Sequence, residues 1–423
     1  MHKFFVLVVF GLLYAAQSVA AESSERTVVG AARMLDVRSG AIIQNATVLV
    51  EKDRIKTVGI TEIPPEAQTI QLGDVTLLPG LIDTHTHLSK DLDREAFSRI
   101  VTEGPADYAL RGSRNARRTL LAGFTTVRDV GSFDFVDVSL MRAVEKGLIE
   151  GPWIIPAGHA LSITGGHCDV TGYAPGVREL GPESGVADGK EALLRAVRYQ
   201  IKQGAKVIKT CATAGVLSFE GPVGAQQFSE EELRVIVSEA QRHGLKVAAH
   251  AHGTEGILAS VRAGVASIEH GSVLNDEAIH LMKERGTYLV PTTYLADAID
   301  LDVLPPHIRA KAEGLLPIAK ESLRRAIRAG VPIAFGTDAG VYPHGDNAKE
   351  FAALVKAGMT PLEAIRAATL YATDLLGLSD RGVIEAGRLA DLVAVPGNPL
   401  ADVKVLEDVR FVMHGGRIVK QPK

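Results

Sequence analysis

Five places in this chain put metal-type donors, or an out-of-place charge, at the end of an apolar run. His85-Thr86-His87 closes the run that begins at Leu81, and Lys209 interrupts Val207-Ile208-Lys209-Thr210. His250-Ala251-His252, Glu269-His270-Gly271 and Gly336-Thr337-Asp338-Ala339 follow in the same manner. Side chains alternate along a strand, so the imidazoles of His85 and His87 share one face and can grip one ion. A lone histidine in an apolar run is usually a satisfied core residue. Two at this spacing after Leu78-Pro79-Gly80 are much less easily explained that way, although His-x-His alone is a weak sign. Imidazole and carboxylate together suit a borderline divalent ion such as zinc, and open positions leave room for water. Two such ions flanking one water would lower its pKa and leave hydroxide available near neutral pH. A buried ammonium at Lys209 is costly unless paired or altered. As a carbamate, formed when its neutral amine captures carbon dioxide, it would supply the oxygen bridge that a pair of ions needs.

These residues have to be held by a regular scaffold. Eight short β-branched runs appear in order: 81–88, 123–130, 153–157, 206–212, 246–252, 266–270, 288–294 and 333–338. Helical stretches lie between them. In one, Ser229 and Glu232 form a capping box, Leu233, Ile236, Val237 and Ala240 share a face, and Gly244 ends the helix. Thr360-Pro361-Leu362-Glu363 repeats the device with proline at the first helical position. Eight strand-helix units within the 260 residues from Leu81 to Gly340 fit an α/β fold, a (β/α)8 TIM barrel. Its active site would lie at the C-terminal ends of the strands, where all five donor segments sit. The rival, a doubly wound open sheet, lacks a Gly-rich fingerprint after its first strand. Both chain ends read differently, as short strands with a hairpin at Gly415-Gly416. The predicted division is a leader over 1–20, a small β-sandwich built from 21–76 plus 385–423, and a barrel over 77–384.

Leu78-Pro79-Gly80-Leu81-Ile82-Asp83-Thr84-His85-Thr86-His87, the set of strand-end donors and the two β-rich ends resemble the amidohydrolase superfamily, over essentially the whole mature chain. Gly165-Gly166-His167, the segment 247–253 and the segment 336–345 narrow the resemblance to the imidazolonepropionase-related branch. That branch includes binuclear Xaa-Pro and Xaa-Lys/Arg dipeptidases and ochratoxin-hydrolysing amidohydrolases. The resemblance implies that His85, His87 and Asp338 hold one metal, that His250 and His270 hold the other, and that carbamylated Lys209 bridges them. The spacings of 41 residues from Lys209 to His250 and 20 from His250 to His270 suit successive strands of this branch. Asp338 would relay a proton from the nucleophile to the leaving amine. His167 and His252 are candidates for contacts to the substrate carbonyl and carboxylate, with second-layer or plain loop roles as the alternative. The implied substrates are dipeptides, or N-acyl amino acids such as ochratoxin A, and the implied assembly is a homo-oligomer, with an octameric ring as one form. Two rivals stand beside this: a hydrolase or deaminase of a cyclic amide or ring amine, and a metal-free binding scaffold. Lys209 favours two metals over a single-metal deaminase, and six candidate ligands oppose the scaffold.

Composition removes other classes. The chain has 423 residues, 46% hydrophobic and 23% charged, with a net charge of −4. That leaves no basic excess to neutralise the phosphates of a nucleic acid. Lys3 followed by the apolar run Phe4–Ala16 and Ser18-Val19-Ala20 reads as a secretory leader, too short to span a bilayer. Cleavage after Ala20 would export a protein without membrane attachment, to the periplasm or beyond. Cys168 and Cys211 leave a single bridge open, and nothing in the sequence demands it. His243, His280, His307 and His414 lack clustered partners and are expected at the surface, while His344 is expected at the rim of the site. Glu255 matches a deaminase-type His-x-x-Glu only with a two-residue shift and is expected as a first-turn helix carboxylate.

Overall fold

The computed structural model describes residues 26–217 and 219–422. The leader read over 1–20 lies outside them. Among the described residues no helix is long and apolar enough to cross a membrane.

Five strands open the chain: β1 (Arg26–Leu35), β2 (Ile42–Glu51), β3 (Arg54–Val58), β4 (Gln68–Gln71) and β5 (Val75–Pro79). The chain then builds seven parallel strands, each followed by helical or loop segments. These are β6 (Leu81–Thr86), β7 (Phe124–Asp129), β8 (Trp153–Pro156), β9 (Ile208–Cys211), β10 (Val247–Ala251), β11 (Ser267–His270) and β12 (Tyr288–Val290). Last come β13 (Leu392–Pro396), β14 (Phe411–His414) and β15 (Arg417–Lys420).

Both ends of the chain meet in one sheet of eight strands, ordered β15-β14-β13-β5-β1-β2-β3 with β4 beside β1. Its apolar layer joins Val29, Val48 and Leu77 from the first end to Leu392, Phe411 and Met413 from the last. The strands of the expected terminal β-sandwich are joined in a single hydrogen-bonded sheet. The reason is β5, which pairs with β1 on one side and with β13 on the other and leaves no break between the two termini. The predicted hairpin at Gly415-Gly416 is present between β14 and β15. Gly416 has φ 75° and packs against the Lys52 carbonyl so closely that a Cβ could not fit.

The middle is α/β, as its alternating pattern requires. The helix Glu230–Arg242 carries the predicted cap: Ser229 Oγ accepts from Glu232 N at 3.2 Å, and the Glu232 carboxylate accepts from Ser229 N at 2.9 Å. It buries Leu233, Ile236, Val237 and Ala240 against the strands. The strands form two parallel sheets, β6-β7-β8 and β9-β10-β11-β12, rather than one continuous eight-stranded sheet. Single parallel bridges link them: Leu161 to Thr210, Leu289 to Ile333 and Thr86 to Ala339. The eighth expected strand, 333–338, is not a regular strand. Thr337 N is shared between the Asp83 carboxylate at 3.2 Å and the His85 carbonyl at 3.3 Å, and Asp338 turns the backbone left-handed at φ 61°. Beyond that turn the pairing resumes only as the single Thr86–Ala339 bridge.

Candidate metal centre

His85, next to the last residue of β6, is fully buried, and two bonds determine how its ring presents itself. Its Nδ1 lies 2.7 Å from Glu269 Oε2, while Nε2 lies 3.4 Å from Asp338 Oδ1. With Nδ1 donating to a carboxylate, Nε2 keeps its lone pair and can act as a ligand. Glu269 is itself held by the buried Arg128, whose Nη2 is 2.8 Å away. Burial alone would raise the Glu269 pKa, but the Arg128 charge and the His85 bond outweigh it and hold the carboxyl well below the usual range. His87 repeats the arrangement. Its Nδ1 donates to the Gly131 carbonyl at 3.0 Å and its Nε2 faces Asp338 Oδ1 at 3.4 Å. Burial pushes the His87 pKa well down, so the ring is neutral. Asp338 stays ionised: burial opposes this, but the neighbouring His85, His87 and His270 prevail. One donor atom from each of His85, His87 and Asp338 lies within 4.8 Å of the others.

A second cluster stands beside the first, with the His85 and His270 ring centroids 5.1 Å apart. One donor atom from each of His250, His252 and His270 again lies within 4.8 Å of the others. Here the anchors are hydroxyls: Thr292 Oγ1 at 2.8 Å from His270 Nδ1 and Ser272 Oγ at 2.7 Å from His252 Nδ1. Burial lowers all three pKa values, that of His252 to about 3. His250 Nε2 is buried with no hydrogen-bond partner among the described residues. Orphaned buried nitrogens are rare, and a row of neutral imidazoles around one space is a set of borderline donors suited to a divalent cation. Lys209 opens onto the same space, and burial brings its pKa down to about 8. Three residues with left-handed backbones lie here, His270 at φ 71°, Thr292 at φ 50° and Asp338 at φ 61°. Strain of this kind collects where function needs it.

Both clusters line one cavity of about 370 Å³. The amidohydrolase family model matches residues 76–419. The chain belongs to the amidohydrolase family. An ochratoxinase of Aspergillus niger is 36% identical over 434 residues, spanning 96% of this chain and 89% of the relative. Among solved structures, a Xaa-Pro dipeptidase with methionine bound in its active site is 38% identical, with a TM-score of 0.89 over 93% of this chain and 100% of that one. A prolidase complexed with N-methylphosphonate-L-proline is 35% identical, with a TM-score of 0.86 over 94% and 100%. Amide-bond hydrolysis is the shared activity, and this amidohydrolase is an enzyme of that kind.

All eight site residues predicted from the amidohydrolase pattern meet at this cavity. His167 packs on His250 with ring centroids 4.1 Å apart, and its Nδ1 lies 3.2 Å from Glu220 Oε1. Gly215 makes room for that ring, because a Cβ there would run into it. His252 lines the cavity, as a substrate contact must, and it also stands beside His250 and His270 in the second cluster. The reason is β10, whose end places both His250 and His252 toward β11. His344 is not a rim residue. It is buried, with Nδ1 against Thr119 Oγ1 and Nε2 against the His87 carbonyl, because the segment after residue 338 folds inward. His414 is not a free surface residue either; it packs on Trp153 at 4.5 Å, where the last hairpin meets β8. His243, His280 and His307 are exposed, as is Glu255 in the first turn of its helix. Cys168 and Cys211 form a disulfide, joining the loop of His167 to the end of β9. Arg128, Glu269, Thr292 and Ser272 were missed. Glu269 adjoins His270 in sequence, but its partners come from β6 and β7.

Proposed function

We propose that this amidohydrolase holds two divalent metal ions, most simply zinc, and releases a C-terminal amino acid from dipeptides or N-acyl amino acids. The observation that carries the reading is the convergence of two three-donor clusters on one cavity. The donors fit ions: His250 Nε2 is otherwise orphaned, and His85, His87, His252 and His270 each have Nδ1 tied back. His85, His87 and Asp338 would hold one ion, His250 and His270 the other, and carbamylated Lys209 would join them. A lysine with a pKa of about 8 has a substantial neutral fraction near pH 7.5, the form that reacts with carbon dioxide. Ions bound here supply Lewis acidity toward the scissile carbonyl and toward water. Asp338 takes the proton lost by the nucleophile and returns it to the leaving amine. His167 and His252 would contact the substrate beside these donors. The names of the relatives, an ochratoxinase, a Xaa-Pro dipeptidase and a prolidase, support an amino-acid leaving group.

The scaffold reading extends the same way. The two parallel sheets and their three bridges are consistent with a closed (β/α)8 barrel over 77–384, carried beside a composite terminal domain from 21–76 and 385–423. A disulfide suits an exported protein. Elemental analysis of purified enzyme is expected to find about two divalent ions per chain. Lys209→Ala is expected to lose most of that metal, with activity partly restored by short carboxylic acids. Wild-type metal content and rate in Lys209→Ala would leave the lysine a structural residue. A library of dipeptides and N-acyl amino acids, scored for released amine, then ranks the substrates.

A further inference from the structure

We infer that Lys90 is the receptor for the substrate carboxylate. The inference rests on the amino-acid leaving group proposed above and deepens it. Lys90 lies three residues beyond His87 and lines the cavity, with its ammonium 5.9 Å from the centroid of the Phe133 ring. Its backbone is pinned: Lys90 N donates to the His87 carbonyl at 3.0 Å, and Asn115 Nδ2 reaches the Lys90 carbonyl at 3.4 Å. The side chain therefore starts from a set position beside the first donor cluster.

What distinguishes this cation is the absence of a counter-ion. Apart from Lys209, the other cations on the cavity wall are committed. Arg99 pairs with Asp93 at 2.5 Å, Arg111 with Glu103 at 2.6 Å and Lys320 with Asp297 at 2.9 Å. The Lys90 ammonium makes no ion pair or hydrogen bond with any described residue. The nearest carboxylates are occupied elsewhere: Asp129 accepts from the Leu88 and Gly131 amides, and Asp338 faces His85 and His87. Lys90 is itself exposed, so its ammonium is open to a ligand entering the cavity. An exposed ammonium on the cavity wall beside an aromatic ring, with no counter-ion of its own, can pair with an anion that arrives with the ligand. A carboxylate there would sit beside the first donor cluster, on the leaving-group side of an amide whose carbonyl faces His167 and His252.

The test compares two amine-linked probes that contain no amide to cleave, N-benzylphenylalanine and N-benzylphenylalaninol, titrated calorimetrically into wild type, Lys90→Met and Lys90→Arg. Wild type is expected to bind the acid about 10- to 100-fold more tightly than the alcohol, the scale of one charge-assisted hydrogen bond. Lys90→Met is expected to bring the ratio near unity, and Lys90→Arg to keep much of it. Equal binding of acid and alcohol by wild type, or a preference that survives in Lys90→Met, overturns the assignment. Turnover of N-acyl amino acids separates the two proposals. A Lys90-dependent preference without such turnover removes the proposed substrate class and leaves the receptor. Turnover with a preference indifferent to Lys90 does the reverse.

Discussion

Asp338 holds an unusual position for a carboxylate: left-handed at φ 61°, facing two imidazoles at 3.4 Å each, and kept ionised by them. An asparagine preserves its shape and one oxygen but cannot accept a proton. Asp338→Asn is therefore expected to fold, keep part of its metal and lose about 10²–10⁴-fold in kcat, roughly 3–5 kcal/mol of barrier, with little change in KM. A metal-replete variant within a few-fold of wild type would move proton transfer to another residue. Glu269 works differently. It stands between His85 and the buried Arg128, so its removal leaves a guanidinium without its carboxylate. Glu269→Gln is expected to cost about 3–5 kcal/mol of stability and to lower metal content. Urea unfolding and elemental analysis read the two effects separately. Wild-type values in both would mean that Arg128 and His85 do not depend on Glu269.

At the scale of elements, the site is assembled by strand ends and tied by one covalent link. The Cys168–Cys211 disulfide closes a separation of 43 residues and fastens the His167 loop to β9, which carries Lys209. Cross-links of this size contribute about 2–4 kcal/mol, chiefly by restricting the unfolded chain. Replacing both cysteines with serine should lower the unfolding free energy by that amount. Because Cys168 adjoins His167, kcat/KM is expected to fall as well, whereas the ion count should stay unchanged, since neither cysteine is among the donors. Full activity in the double variant would show that the loop holds His167 without the bridge. The helix Glu230–Arg242 shows how far local chemistry reaches. Its cap, apolar face and terminal glycine are all written in consecutive residues, and the structure follows them.

Across the whole molecule, the buried histidines make stability depend on pH. Seven of them are held neutral by burial: His87, His250 and His270 far below the ordinary value, His252 near 3, and His159, His344 and His414 near 4. An unfolded histidine takes up its proton near pH 6.5, which the folded chain cannot do until far lower. The unfolded state thus binds more protons between pH 6.5 and about 4, and stability falls as pH drops through that window. Asp83, Asp137 and Asp391, raised to about 6 by burial, bind protons early in the native state and offset part of the loss. Metal-free protein is expected to show a lower urea midpoint at pH 5 than at pH 7, with a shallower decline in His414→Gln. A midpoint that is flat or rising on acidification would contradict the burial described. By itself the sequence determined the order of strands and helices, the caps and the His, Lys and Asp donors, because periodicity, capping and strand alternation act over a few neighbouring residues. The partners of those donors were decided by tertiary structure alone. Glu269 reaching His85, Asp83 reaching Thr337, the disulfide, the burial of His344 and the unpaired Lys90 depend on which distant segments share a cavity, and no local pattern encodes that.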